Sequence, residues 1–214
     1  MTESVDSATL WSFTHSERAA LADDLAGLSR AQWVQPSLCG EWSVEDVIAH
    51  LTAAASIGRL RWLTSVLGVR FDFDKHNDRR LAEHRGTNPT ETLERFRAIV
   101  TSTTAPFGNP AAWLGEVLVH AQDIRRPLGI ARTPSIEATT AVAHFFARKD
   151  FTVPSHSTAK NLRLEATDGP FTAGEGPVVQ GPTIALVMAM AGRPSYCTDL
   201  TGPGTATLLD RTTA

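Results

Sequence analysis

Cysteine is nearly absent from this chain: among 214 residues there are two, Cys39 and Cys197. Cys-rich zinc knuckles are therefore excluded, and two free thiols in a reducing compartment are the expectation. Lysine is scarce as well, with Lys75, Lys149 and Lys160 the only three among the 20 basic residues. A basic excess is missing altogether, since 20 Lys and Arg face 23 Asp and Glu for a net charge of −3. That balance speaks against a sequence-independent nucleic-acid binder. No long apolar run exists either. The longest, near residues 183–191, falls far short of the ~20 residues that a membrane-spanning helix needs. The first residues lack a basic segment followed by an apolar one, so no secretory signal is read there. A soluble cytoplasmic protein with no membrane or nucleic-acid partner is the expectation.

What is present is ordinary globular composition. A hydrophobic fraction of 42% with 20% charged residues can bury a real core at this length. Residues 8–28 place Leu10, Phe13, Leu21, Leu25 and Leu28 on one helical stripe. Residues 33–40, with Pro36 and Gly40, read as a connection. Ser43 and Asp46 then frame a helix start of the capping-box kind, with Asp in place of the usual Glu or Gln. That helix is expected over 44–67, stopping at Gly68. Residues 69–85 read as a loop and a short helix. Asn88-Pro89 opens a helix to about residue 101, and Asn109-Pro110 opens another to about residue 126, ended by Pro127 and Gly129.

Four helical segments and no convincing strand in the first 130 residues point to a four-helix bundle. A fifth helix is expected over 134–149. The texture then changes. Residues 161–167 alternate apolar and polar, as a strand does, and Asp168-Gly169-Pro170 is a turn. Phe171 to Gly174 can start a returning strand. Gly181-Pro182 precedes an apolar helix that ends at Gly192, and Gly202-Pro203-Gly204 introduces a last short element. The fold class expected is α-rich: a four-helix bundle over 1–130, a connecting helix over 131–150, and a small α+β unit over 151–214.

Two of the seven histidines carry a spacing argument. Glu116 and His120 stand at i and i+4, so they stack on one helix face with Trp113, Val117 and Ile124 on the same side. His50 lies near the side of its helix that carries Val47, Ala54 and Ile57. A carboxylate and imidazoles among core residues are costly to bury unless they are paired or bound to metal. Two readings stay open at this point. One is a three-ligand metal site with an open position; the other is a structural Glu116–His120 hydrogen bond, with His50 satisfied elsewhere.

The stretch Cys39-Gly-Glu-Trp-Ser-Val-Glu-Asp-Val-Ile-Ala-His50-Leu51 resembles the "GW-[ST]-V-x-D-V-x-x-H-L" signature of DinB-like proteins. It is similar in particular to the mycothiol-dependent maleylpyruvate isomerase family. Glu116 to Gly129 resembles that family's second signature, Phe73-Asp-Lys-His-Asn77 its intervening segment, and residues 162–169, 174–177 and 181–186 its C-terminal domain. The chain departs from the signature at Glu41, which separates Gly40 from Trp42. The resemblance implies a DinB-type bundle holding one divalent metal, usually zinc, on His50, Glu116 and His120. It further implies mycothiol as a thiol cosubstrate placed at the open position, with a small electrophile as the second substrate.

The chemistry implied is attack by a metal-activated thiolate, in an isomerase or an S-transferase. A hydrolase using water and a non-catalytic metal-binding protein are the competing functions. Three further residues are candidates for roles at the site. Asn77 is read as a hydrogen-bonding group or a structural turn residue. Asp123 is read as an orienting partner of His120, or else as an exposed acid paired with Arg126 at i+3. Arg193 is read as an arm toward a polar ligand or a helix-end cation. Cys39 is read as buried and unreactive. Monomer and homodimer are equally open.

Overall fold

Helix starts along the first part of the chain are set by short polar side chains. Ser43 Oγ accepts from the Asp46 N–H at 3.2 Å, while Asp46 Oδ2 accepts from the Ser43 N–H and hydroxyl at 3.1 and 2.6 Å. This reciprocal box opens α3, Val44–Ser56. The structure, a computed structural model, describes residues 5–56, 81, 83–105 and 108–213. The chain divides into two compact units, Trp11–Arg132 and Met1–Leu10 together with Thr133–Ala214.

Within the first unit, α1 is Ser7–Ala26, begun in the other unit's first residues, and α2 is the short Arg30–Trp33. α2 lies just ahead of the expected connection and is opened by a second capping box, Ser29 with Gln32. α4, Pro89–Arg97, starts at Asn88, whose side chain accepts from the Glu91 N–H at 3.1 Å. α5, Pro110–Leu128, starts at Asn109, which accepts from the Ala111 N–H at 2.9 Å. In both, proline occupies the first turn, where its missing N–H costs nothing. α5 runs past Pro127 and ends at Gly129, in the left-handed region with φ +65°. The expected continuation of α3 to residue 67 and Gly68, and most of the loop and short helix over 69–85, lie outside the described residues.

One apolar cluster binds these helices. Leu21 and Leu25 of α1 meet Val47, Ile48 and Leu51 of α3, Leu93 and Phe96 of α4, and Val117, Ala121 and Ile124 of α5. Each set recurs at helical spacing, so each helix turns one stripe inward. Full burial of a leucine or phenylalanine contributes roughly 1.5–3 kcal/mol. Charge is buried as well: Arg125, fully inaccessible, bonds Asp24 at 2.8 Å, and Arg132 reaches the other Asp24 oxygen at 2.7 Å. Those contacts tie the end of α5 to α1.

The second unit holds α6 (Ile136–Phe146), α7 (Ser155–Ala159), β1 (Arg163–Ala166), β2 (Thr172–Ala173), β3 (Val178–Gly181), α8 (Thr183–Met190), a 3-10 turn (Pro194–Asp199) and α9 (Thr205–Thr213). Its sheet has the order β2-β1-β3, with β1 antiparallel to β2 and parallel to β3. Leu164 and Val179 pair in register and are both buried, and α8 packs against α6 and the sheet. The expected strand near 161–167 and its short return are present. α7, β3 and the 3-10 turn have no counterpart in the sequence expectations. The fold is thus α-rich with a small α+β part toward the C-terminus. Among the described residues, no helix is long and apolar enough to cross a membrane.

Candidate metal centre

α3 and α5 pack together and bring three donor side chains to one point. His50 Nε2 lies 2.9 Å from Glu116 Oε1, and His120 Nε2 lies 3.5 Å from the same oxygen. The two imidazole centroids are 5.0 Å apart and nearly perpendicular. The ligand atoms of all three residues fall within 4.8 Å of one another. Tetrahedral zinc with bonds near 2.0–2.1 Å holds its ligand atoms about 3.3 Å apart, so the observed spacings bracket what a cation needs. Two borderline nitrogens and one hard oxygen are also a chemically fitting donor set. His50 and Glu116 keep 22% and 17% of their side chains exposed, whereas His120 keeps 9%. The cluster is therefore open on the His50 side and closed behind His120.

Electrostatics reinforce the geometry. Burial pushes the Glu116 carboxyl up, but hydrogen bonds from His120 and His50 outweigh it and hold the group well below the usual carboxylate range. Burial pushes His120 down, yet bonds with Asp123, Cys39 and Glu116 outweigh it and raise the imidazole well above its ordinary value.

Behind His120 sits Asp123, fully buried, with Oδ2 3.0 Å from His120 Nδ1. It is not an exposed surface acid. Its backbone carbonyl has a special position: Pro127, four residues on, has no N–H to offer it. The N–H of Leu38 takes that carbonyl instead, at 3.0 Å. This bond docks the loop before α3 onto α5. The loop is closed on itself by Ser37 N–H to Trp42 O at 2.9 Å, Trp42 N–H to Cys39 O at 3.1 Å, and a bridge between Pro36 and Ser43.

Two side chains of this loop reach the cluster. The Trp42 ring lies 4.9 Å from that of His50 and 6.4 Å from that of His120, centroid to centroid. The Cys39 sulfur lies within 4.8 Å of a His120 ring nitrogen. Cys39 is half-buried, not buried as the sequence reading has it, and its neighbour is a candidate ligand. The available signal was Pro127 inside a helix, which marks a free carbonyl.

Two further candidates are named from the sequence. Asn77 lies outside the described residues. Arg193 belongs to the second unit, where it precedes the 3-10 turn and donates to the Ala191 carbonyl at 2.7 Å.

Residues 14–109 match a family model described as the mycothiol maleylpyruvate isomerase N-terminal domain. Two solved structures share the fold. One is the mycothiol-dependent maleylpyruvate isomerase, with TM-score 0.65, and the other is a histidine-to-alanine mutant of the mycothiol-dependent maleylpyruvate isomerase, with TM-score 0.64. Each is 18% identical to this chain, and the match covers 94% of either partner. No curated protein sequence matches.

Proposed function

We propose, from the similarity of residues 14–109 to the mycothiol maleylpyruvate isomerase N-terminal domain, that this chain is a divalent-metal-dependent thiol enzyme, an isomerase or S-transferase that uses mycothiol. The observation that carries the reading is the convergence of His50 Nε2 and His120 Nε2 on Glu116 Oε1. His50, Glu116 and His120 would hold the cation, zinc being the best match to the donors. A bound zinc would supply Lewis acidity, lowering the thiol pKa of the cosubstrate so that a thiolate exists near neutral pH.

The chain's own groups do the rest. Glu116 provides the negative charge that offsets a cation. With a cation held at Nε2, Asp123, 3.0 Å from Nδ1, would accept from the Nδ1–H of His120 and fix the ring. Trp42 lays an aromatic ring against that of His50, 4.9 Å away centroid to centroid. The exposed edge at His50 and Glu116 leaves room for a small substrate. The cosubstrate's thiolate forms a carbon–sulfur bond to an activated double bond. In an isomerase the resulting single bond rotates and the same thiol leaves again. In a transferase the carbon that receives the electron pair of the broken double bond takes a proton from solvent, and the adduct is released.

A hydrolase would need a general base for water. Among the described residues the extra buried acid at the cluster is Asp123, and it is already engaged by His120.

The test has two arms. Metal analysis of the purified chain is expected to give about one zinc per chain, lost in His50→Ala and His120→Ala. Mycothiol is expected to raise Tm by linkage in the zinc-loaded wild type and not in His50→Ala. A wild type that stays metal-free when offered zinc overturns the reading.

A further inference from the structure

Cys39, His120 and Asp123 present a thiol sulfur, a ring nitrogen and a carboxylate oxygen that all lie within 4.8 Å of one another. This is a second donor set, behind the first. Asp123 is fully buried, Cys39 is half-buried, and the loop that carries Cys39 is fastened to Asp123 by the Leu38 N–H. The donors are therefore in place without any rearrangement of the helices. We propose that Cys39, His120 and Asp123 form a binding site for a thiophilic divalent cation such as cadmium, and that its occupation excludes a cation from the His50–Glu116–His120 set.

The exclusion follows from the ring they share. His120 faces Glu116 with Nε2, at 3.5 Å, and Asp123 with Nδ1, at 3.0 Å. A neutral imidazole has one nitrogen with a free lone pair and one that carries hydrogen. With Nε2 as ligand, Nδ1–H donates to Asp123 and the second set lacks its nitrogen. With Nδ1 as ligand, Nε2–H points to Glu116 and the first set is short of one. The tautomer of His120 thus selects which set is complete.

The sulfur selects the cation. A thiolate prefers soft and borderline ions, whereas the first set offers none. Binding is a ligand exchange with no redox change. The Cys39 S–H bond breaks, its proton goes to solvent, and a sulfur–cation bond forms. When the cation binds Nδ1, any proton on that nitrogen goes to solvent, and Nε2 carries the hydrogen that faces Glu116. Only the antagonism between the sets rests on the functional reading above; the second site stands on its own geometry.

The test is a titration of the metal-free full chain with cadmium, followed by the thiolate-to-cadmium charge-transfer absorption in the ultraviolet. In the wild type the band is expected to saturate at about one cadmium per chain. It is expected to persist in His50→Ala and in Cys197→Ser, and to vanish in Cys39→Ser and Cys39→Ala. The circular dichroism of each variant checks that it is folded. Should Cys39→Ser fold poorly, Cys39→Ala gives the same answer. Prior loading with cadmium is expected to weaken zinc uptake at least about tenfold in the wild type and not in Cys39→Ser.

No band in the wild type, a band that survives loss of Cys39, or a band lost in His50→Ala overturns the second site. Equal zinc uptake with and without cadmium overturns the exclusion. Zinc binding that survives His50→Ala refutes the first reading instead, and leaves the cadmium result to be judged alone.

Discussion

His120 Nδ1 lies 3.0 Å from Asp123 Oδ2, a contact made inside the protein with the acid fully buried. An outer partner of this kind fixes ring orientation and tautomer, and its loss commonly weakens metal affinity by about 10–100-fold. Asp123→Asn is expected to lower zinc affinity within that range while leaving helix content intact. Competition against a chromophoric chelator measures it. Unchanged affinity would show that packing alone orients the ring.

Arg125 and Asp24 give an asymmetric prediction. Arg125 is fully buried and bonded to Asp24 at 2.8 Å. Removing Asp24 leaves the buried cation only Glu17, 3.9 Å away, at a cost approaching about 3–5 kcal/mol, whereas replacing the cation with an apolar side chain of similar length removes the charge itself. Asp24→Ala is therefore expected to shift the urea midpoint of Trp11–Arg132 far more than Arg125→Met. Equal shifts would mean that the arginine is held by its stem.

Glu91 sets an acid-side dependence. The Thr87 hydroxyl and N–H donate to it at 2.6 and 2.7 Å and Arg95 donates at 2.5 Å, which together hold its carboxyl down at about 2. A carboxylate depressed in the folded state stabilises fully above its unfolded value, near 4.5, and loses that contribution as pH falls toward 2. Glu91→Gln is expected to lower Tm at neutral pH and to narrow the gap from wild type as pH drops below 4.5. Thermal unfolding from pH 7 to pH 3 checks the sign. A gap that stays constant with pH would assign the effect to capping geometry rather than charge.

Gly174 tests the second unit. It has φ +76°, and a Cβ there would meet the Leu162 carbonyl oxygen at 2.1 Å. Gly174→Ala combines left-handed strain with a backbone collision, so a loss of about 1–3 kcal/mol or more is expected, read from urea unfolding. A neutral outcome would require β2 to move away from β1.

Much of the first unit was legible because its signals are local. Asn88-Pro89, Asn109-Pro110 and the Ser43–Asp46 box each name a helix start within four residues, and the starts fall where those pairs stand. Glu116 and His120 were a spacing on one helix, so their shared face could be read directly. β3 was not legible. Val178–Gly181 is four residues long and contains glycine, and it is a strand because β1 lies parallel beside it. Its partner, not its composition, decides its state. Cys39 failed for a similar reason. Its contact with His120 depends on a hydrogen bond between Leu38 and Asp123, residues far apart in sequence. Trp42 was visible as part of a signature, but nothing in the sequence told which ring it would cover.

Pro127 now acquires a meaning that its place near a helix end conceals. Any other residue there would add an amide able to compete with Leu38 for the Asp123 oxygen. The helix would gain regularity, and the segment from Ser37 to Trp42 would lose its mooring. A change that makes α5 more perfect as a helix would thus leave both imidazoles less well held.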